Sequence, residues 1–266
     1  MSVKHEMFEY AGSLRLLRPL ADMAYARRFA RRSGGERLFR GIYTDFAGAT
    51  ASAPPHSPLG HNHPAYARGV FHSPGRPLPS DYPILFWLSK ILHAGARIFD
   101  WGGNTGVSFY AYLPYLDRQC LAEWIVNDVP SVVALGEELK RGRDAAGLSF
   151  TTSLASLGAC EIMLAAGSLQ VIEDPFAPLR DLGNLPLHVL INKTPAYTQP
   201  SAVTLLNNGI SFCAYRLFER ATLIRSFAEI GYSLKDEWQI PELSCHIPFY
   251  PEFPVAHYSG FYFVRR

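Results

Sequence analysis

The chain has 266 residues, 48% hydrophobic and 18% charged, with a formal net charge of +2, enough to bury one sizeable core with an added segment. That balance, with neither an RNA-binding aromatic pattern nor zinc-finger spacing, excludes nucleic acid as an expected partner. No apolar run reaches the ~18 residues of a membrane span, and the first residues lack the hydrophobic stretch of a signal peptide. The four cysteines, Cys120, Cys160, Cys213 and Cys245, form no Cys-x-x-Cys pair, so the expected home is a reducing cytoplasm.

Residues 1–40 hold nine Lys or Arg against four Asp or Glu, a net +5, whereas the remainder carries −3. Arg27, Arg28, Arg31 and Arg32 recur at helical spacing beside Leu16, Leu17, Leu20, Met23 and Phe29, which predicts a basic amphipathic helix. Two roles are open to it: peripheral contact with an anionic membrane at its inner face, or a solvated face of a helix packed on the core or on a second copy of the chain. From Thr50 to Pro79 the chain is crowded with Pro, Gly, Ser and His, and no regular element is expected to persist through it. Residues 1–80 thus read as a helical extension followed by a long loop, a candidate lid. His61 and His63 lie in that loop without a cluster of Cys or carboxylates, so no metal site is expected. A helix with Asp81 as N-cap, carrying Ile84, Leu85, Trp87, Leu88 and Ile91, opens the domain expected over residues 81–266.

Residues 97–106, Arg-Ile-Phe-Asp-Trp-Gly-Gly-Asn-Thr-Gly, read as a buried strand running into a glycine-rich turn. Gly102, Gly103 and Gly106 permit positive φ and close backbone approach to a ligand, and Asn104 tolerates the left-handed region better than most residues. Thr105 completes the turn, and Asp100 stands two places before the first glycine. A tight strand-to-helix junction of any kind uses the same residues, so the turn alone is weak. The next strand, Trp124-Ile125-Val126, ends in Asn127-Asp128-Val129-Pro130, placing an acid about 22 residues past Gly106, the distance at which a ribose is held. Asp128 can accept two hydrogen bonds from a vicinal diol; beside Val-Pro it can also be a plain turn former. A third strand, Ile162 to Ala166, ends in Gly167-Ser168-Leu169, whose backbone is expected along an adenine edge. A fourth, Leu187 to Ile191, ends in Asn192-Lys193-Thr194-Pro195. Phe218 to Ile230 reads as an amphipathic helix, and Leu234 to Trp238 and Phe261 to Val264 as strands. Alternating strands and helices imply an α/β fold with a mostly parallel sheet.

Dinucleotides and S-adenosylmethionine both use this frame, and the first turn separates them. A pyrophosphate rests on helix N-terminal amides and repels a carboxylate. S-adenosylmethionine carries a sulfonium and an ammonium, which an acid at the strand end favours. Asp100 argues for the second, as does the Gly-Gly-x-x-Gly spacing, which departs from Gly-x-Gly-x-x-Gly. An NAD(P)-dependent oxidoreductase and a catalytically silent cofactor-binding module remain the alternatives.

Further segments extend over most of the chain: Gly41-Ile42-Tyr43 with Phe46, Tyr82 to Leu88, Phe99 to Gly103, Asp128-Val129-Pro130, Gly167 to Gln170 with Glu173-Asp174-Pro175, Lys193-Thr194-Pro195, Ser244 to Phe249, and Tyr258-Ser259-Gly260. With these landmarks the chain resembles a bacterial family of class I S-adenosylmethionine-dependent methyltransferases. The resemblance implies a Rossmann-like sheet, mostly parallel with an antiparallel last strand, and an N-terminal helical extension. Asp128-Val129-Pro130 also resembles the Asp-Leu-Pro element of small-molecule O-methyltransferases, which implies Asp128 at the ribose. Because members of the bacterial family are often associated with surface polysaccharide and lipopolysaccharide gene clusters, the resemblance implies a small-molecule or glycan acceptor that is O-methylated. The aromatic segment from Trp238 to Tyr258 is expected either to line the acceptor mouth or to pack on itself. Removal of an acceptor proton calls for a general base. His246 is the first candidate, its ordinary pKa near 6.5 suiting the task; Glu173, Asp174, Lys193 and Asp81 are the others, each with a duller structural role open to it.

Overall fold

The computed structural model describes residues 18–31, 37–69 and 75–266. In chain order its principal elements are α1 (Arg18–Phe29), β1 (Leu38–Tyr43), α2 (Phe46–Ala51), α3 (Pro64–Gly69), α4 (Tyr82–Ile91), β2 (Ala96–Trp101), α5 (Val107–Tyr112), β3 (Leu121–Asn127), α6 (Pro130–Lys140), β4 (Leu148–Thr151), β5 (Ile162–Ala166), α7 (Ala177–Arg180), β6 (His188–Thr194), β7 (Ala196–Tyr197), β8 (Ala202–Asn207), β9 (Phe212–Glu219), α8 (Arg220–Glu229), β10 (Tyr232–Ile240) and β11 (Tyr258–Arg265).

Seven strands form the central sheet in the order β10-β11-β6-β5-β2-β3-β4. The five from β6 to β4 run parallel, while β11 lies antiparallel to both β6 and β10. Short, apolar, parallel strands are stable only when both faces are covered, and both are. Phe99, Met163, Val189, Ile191 and Phe263 pack on one side with Leu223 and Phe227 of α8. Ile98, Trp124, Val126, Leu164 and Leu190 pack on the other with Ile84, Leu85 and Leu88 of α4 and Phe109 and Tyr112 of α5. The sheet is thus mostly parallel with an antiparallel strand near its end, as expected.

A second sheet, β1-β8-β9-β7, differs from the sequence expectation. β1 pairs antiparallel with β8, from Leu38 opposite Asn207 to Tyr43 opposite Val203, so the expected boundary at residue 80 is crossed by a hydrogen-bonded ladder. The stretch from Thr50 to Pro79 contains the short helix α3, started by Pro64 at its first position, where a missing N–H costs nothing. The loop before it is tied down: Phe212 N–H donates to the Pro58 carbonyl at 2.9 Å and Gly60 N–H to the Phe212 carbonyl at 2.8 Å. Asn62 Oδ1 accepts from Ser131 N–H at 3.1 Å, holding the loop to the start of α6.

Helix α1 turns Ala21, Tyr25 and Phe29 inward, with Phe29 and Tyr25 packed among Leu38, Leu205 and Phe212. Leu20 and Met23, expected on its apolar face, are instead exposed; Leu16, Leu17 and Arg32 fall outside the described residues. Asp81 stands at the N-cap position of α4 but makes no capping bond with its side chain. Its Oδ2 accepts from Leu78 N–H at 3.0 Å and its Oδ1 lies 2.8 Å from Lys193 Nζ.

Asn207 joins α1 to the second sheet. Its Nδ2 donates to the Phe29 and Arg31 carbonyls at 2.6 and 2.8 Å, and its Oδ1 accepts from Gly209 N–H at 2.7 Å. Buried backbone groups left without partners are costly, so Asn207→Ala is expected to lower stability by about 2–3 kcal/mol and the melting temperature by roughly 5–10 °C. Thermal denaturation followed by circular dichroism checks this; an unchanged midpoint would show that α1 is not integral to the fold.

Candidate functional site

The site is built at the carboxyl ends of the parallel strands, where the strand order reverses on either side of β2, the place at which open α/β sheets leave a crevice. Two adjoining clefts open there, of about 420 and 520 Å³, sizes typical of small-ligand sites. The glycine turn after β2 lies between them, with Gly102 and Asn104 lining both.

The turn has little freedom. Gly102 takes φ +74°, and a Cβ on it would stand 2.3 Å from the Cβ of Ser168; a Cβ on Gly103 would stand 2.5 Å from the Asp100 carboxyl carbon. Both positions therefore require glycine for the protein's own packing, and the ligand then meets bare backbone. Asn104 is left-handed at φ +57°, stabilised by its Oδ1 accepting from Thr105 N–H at 2.7 Å. Gly106, at φ +82°, begins α5.

Asp128 follows β3 and lines the first cleft. Its Oδ2 accepts from Asn104 N–H at 2.9 Å and its Oδ1 from Val129 N–H at 2.7 Å, so the carboxylate is aimed by backbone of two elements. Each oxygen keeps a lone pair for a ligand hydroxyl. Burial pushes its pKa up, opposed by those two amide bonds. Val129 lines the same cleft; Gly167, at φ +80°, lines both clefts, and Ser168 the first.

Four expected contacts lie behind this surface. Asp100 is wholly buried and lines neither cleft, which corrects the expectation that it grips the cationic end of a ligand directly. Its Oδ2 accepts from Trp124 Nε1 at 3.1 Å, and its Oδ1 has no hydrogen-bond partner. Thr105 and Leu169 are also buried, Leu169 within the core beneath the sheet end, and Gly106 meets Leu148 and Tyr110 rather than a cleft. His246 lines neither cleft. Of its alternatives, Asp174 caps a turn, accepting from Phe176 and Ala177 N–H and pairing with Arg180, whereas Lys193 lines the second cleft in a left-handed conformation at φ +54°.

Sequence reasoning missed several lining residues. Arg37, Tyr66 and Gln170 line both clefts, His61, Asn208 and Tyr215 the first, and Glu242 the second. His61 and Tyr66 lie in the segment that reads as a lid, and that position is the available signal. Their rings meet edge to face at 4.6 Å, and burial, with the Arg37 charge adding to it, lowers the His61 pKa to about 4. The aromatics from Trp238 to Tyr258 do not line the mouth. Trp238 packs over Gly260 and donates Nε1 to Asn192 Oδ1 at 3.1 Å, and Tyr258 is buried with its hydroxyl 2.8 Å from that of Tyr215. No group of three or more His, Cys, Asp or Glu is placed to hold a metal among the described residues.

No family model matches the chain, and no curated protein matches it. Solved structures do. A protein of Listeria monocytogenes described as an S-adenosylmethionine-dependent methyltransferase superposes with a TM-score of 0.51 at 9% identity, over 70% of this chain and 98% of that one. A chain from the complex of the Haloferax volcanii Trm112 methyltransferase activator with a methyltransferase superposes with a TM-score of 0.51 at 14% identity, over 76% and 93%. With the sheet order above, these matches make the fold that of the class I methyltransferases, a Rossmann-like sheet with an antiparallel strand inserted near one edge.

Burial raises the Asp100 pKa to about 7, the Trp124 hydrogen bond only partly offsetting it. Between its unfolded value near 4 and that folded value, the native state holds a proton that the unfolded chain has released, so stability falls as pH rises through this window. Asp100→Asn removes the titration. Denaturant unfolding of the two proteins should diverge in favour of Asp100→Asn from about pH 4 to 7; parallel pH profiles would show that Asp100 ionises freely in the fold.

Proposed function

We propose that the chain is an S-adenosylmethionine-dependent methyltransferase that O-methylates a saccharide or related small metabolite, as a step of surface glycan biosynthesis. The observation that carries the donor assignment is Asp128, held by two backbone amides with its carboxylate on the first cleft beside a bare-backbone turn. Its two oxygens suit the hydroxyls of a ribose. Gly102, Gly103 and Asn104 give the methionyl part backbone at close range, with Gly167 and Ser168 packed beside them. A dinucleotide is less well served. The turn lacks the Gly-x-Gly-x-x-Gly spacing that seats a pyrophosphate, and the helix after it is only six residues long.

When bound, S-adenosylmethionine supplies a methyl group already activated on a sulfonium. The chain's part is to align the acceptor oxygen and exclude water, from which most of the acceleration comes. The α3 segment with Tyr66 and His61 covers the first cleft and serves that exclusion. On the acceptor side, Glu242 is a lining carboxylate with no hydrogen-bond or ion-pair partner among the described residues. It takes the role of proton acceptor in place of His246.

Among the described residues no helix is long and apolar enough to cross a membrane. The exposed Leu20 and Met23 on α1, one turn apart and in line with exposed Arg27, support a peripheral contact with an anionic surface, consistent with a cytoplasmic enzyme working at the inner face of the membrane.

Calorimetric titration with S-adenosylhomocysteine tests the donor assignment. Asp128→Ala removes two charge-assisted hydrogen bonds and should weaken binding about a hundredfold or more, with the melting temperature followed in parallel to exclude unfolding. Transfer of label from the methyl donor to sugars or sugar nucleotides would then identify turnover. Binding of NAD(H) or NADP(H) in place of S-adenosylhomocysteine would overturn the reading.

A further inference from the structure

Two groups at the junction of the clefts have no assigned partner, and on the methyltransferase reading, on which their assignment rests, both face the space left for the acceptor. Gln170 is buried and lines both clefts. Its Nε2 donates to the Lys193 carbonyl at 3.3 Å, which fixes the amide's orientation, and its Oε1 has no hydrogen-bond partner. A buried acceptor without a donor is costly; one at a ligand site has its donor supplied by the ligand.

Arg37 also lines both clefts, and its guanidinium has no hydrogen bond or ion pair among the described residues. The other lining cation, Lys193, is balanced by Asp81 at 2.8 Å. Neither lining carboxylate forms an ion pair with Arg37: Asp128 is turned to the Asn104 and Val129 amides, its remaining lone pairs being assigned to the ribose, and Glu242 stands apart on the second cleft. The nearest titratable neighbours, His61, Tyr66 and Tyr215, stay neutral at physiological pH because they are buried. The junction therefore presents one exposed guanidinium with no ion-pair partner among the described residues and one buried oxygen in need of a donor.

We propose that the methyl acceptor is a hydroxylated acid, such as a sugar acid or sugar phosphate, whose oxyanion pairs with Arg37 and one of whose hydroxyls donates to Gln170 Oε1. The planar guanidinium fork matches a carboxylate or phosphate through two parallel hydrogen bonds. A neutral saccharide satisfies Gln170 and leaves Arg37 without a countercharge. The methyl donor's own amino-acid group offers the same chemistry, a carboxylate beside an N–H donor, so the test must separate the two sources.

Protein saturated with S-adenosylhomocysteine is titrated with glucuronate, glucose 6-phosphate and glucose, and Arg37→Gln and Gln170→Leu are titrated alongside. Both acids should bind at least about tenfold more tightly than glucose. Arg37→Gln should erase that preference, Gln170→Leu should weaken all three, and neither should change affinity for S-adenosylhomocysteine more than about twofold. The proposal is overturned if glucose binds as well as the acids, if neither acid binds in the millimolar range, or if Arg37→Gln keeps the preference. A fall in S-adenosylhomocysteine affinity in Arg37→Gln also overturns it, since the guanidinium then serves the donor. Failure of the unaltered protein to bind S-adenosylhomocysteine is a different result, and it removes the methyltransferase reading itself.

Discussion

The site depends on a steric constraint at one turn. Where the chain leaves β2, the space that side chains at positions 102 and 103 would fill is already taken by Ser168 and by the Asp100 carboxyl group. The backbone must pass between them as glycine. Asp128 then fixes the turn from the side through the Asn104 amide, so strand ends β2, β3 and β5 are locked to one another by contacts that leave main chain facing the clefts. What a ligand meets is the residue of this packing, a surface from which side chains have been excluded by their neighbours rather than trimmed to suit a guest.

Asp100 is set by its strand behind the cleft surface. Its place before the glycines suggests a direct hold on a cation, yet strand alternation puts it on the face of Ile98, two residues earlier, and both belong on the side of Trp124. Strand periodicity alone is enough to show this. The carboxyl group is thereby enclosed beneath the turn, where its charge is disfavoured by burial, and it acts on the site as a wedge under Gly103.

Four strands of the parallel sheet are legible in the sequence because each announces itself locally, by an apolar run closed with Gly, Asp or Asn: Phe99 before Asp100 and the glycines, Val126 before Asn127 and Asp128, Ala166 before Gly167, Ile191 before Asn192. The short edge strand β4, Leu148–Thr151, carries no such signal. The second sheet is harder to see, although Asn208-Gly209 between two β-rich runs is a strong hairpin signal and the hairpin of β8 and β9 turns there. Its burial hides its periodicity, since every residue of β8 is buried. β1 cannot be assigned from its own six residues, because its partner lies in the other half of the chain. The lining by Arg37 shares that origin, since it stands at the start of β1 and reaches the clefts only through tertiary pairing; Gln170 directly follows the turn after β5 and is within reach of the sequence.

Separation along the chain also orders the events of biosynthesis. The Thr204 hydroxyl donates to the Arg40 carbonyl, 164 positions away, and β1 can find its ladder only after β8 has left the ribosome. At about 5–20 residues per second, an apolar strand with an open edge waits on the order of ten seconds or more in the nascent chain. Late docking of non-local strands is slow and exposes sticky edges. Strand β1 therefore joins its ladder late in synthesis, and its open edge is one place at which an overexpressed chain is prone to aggregate or to call on a chaperone.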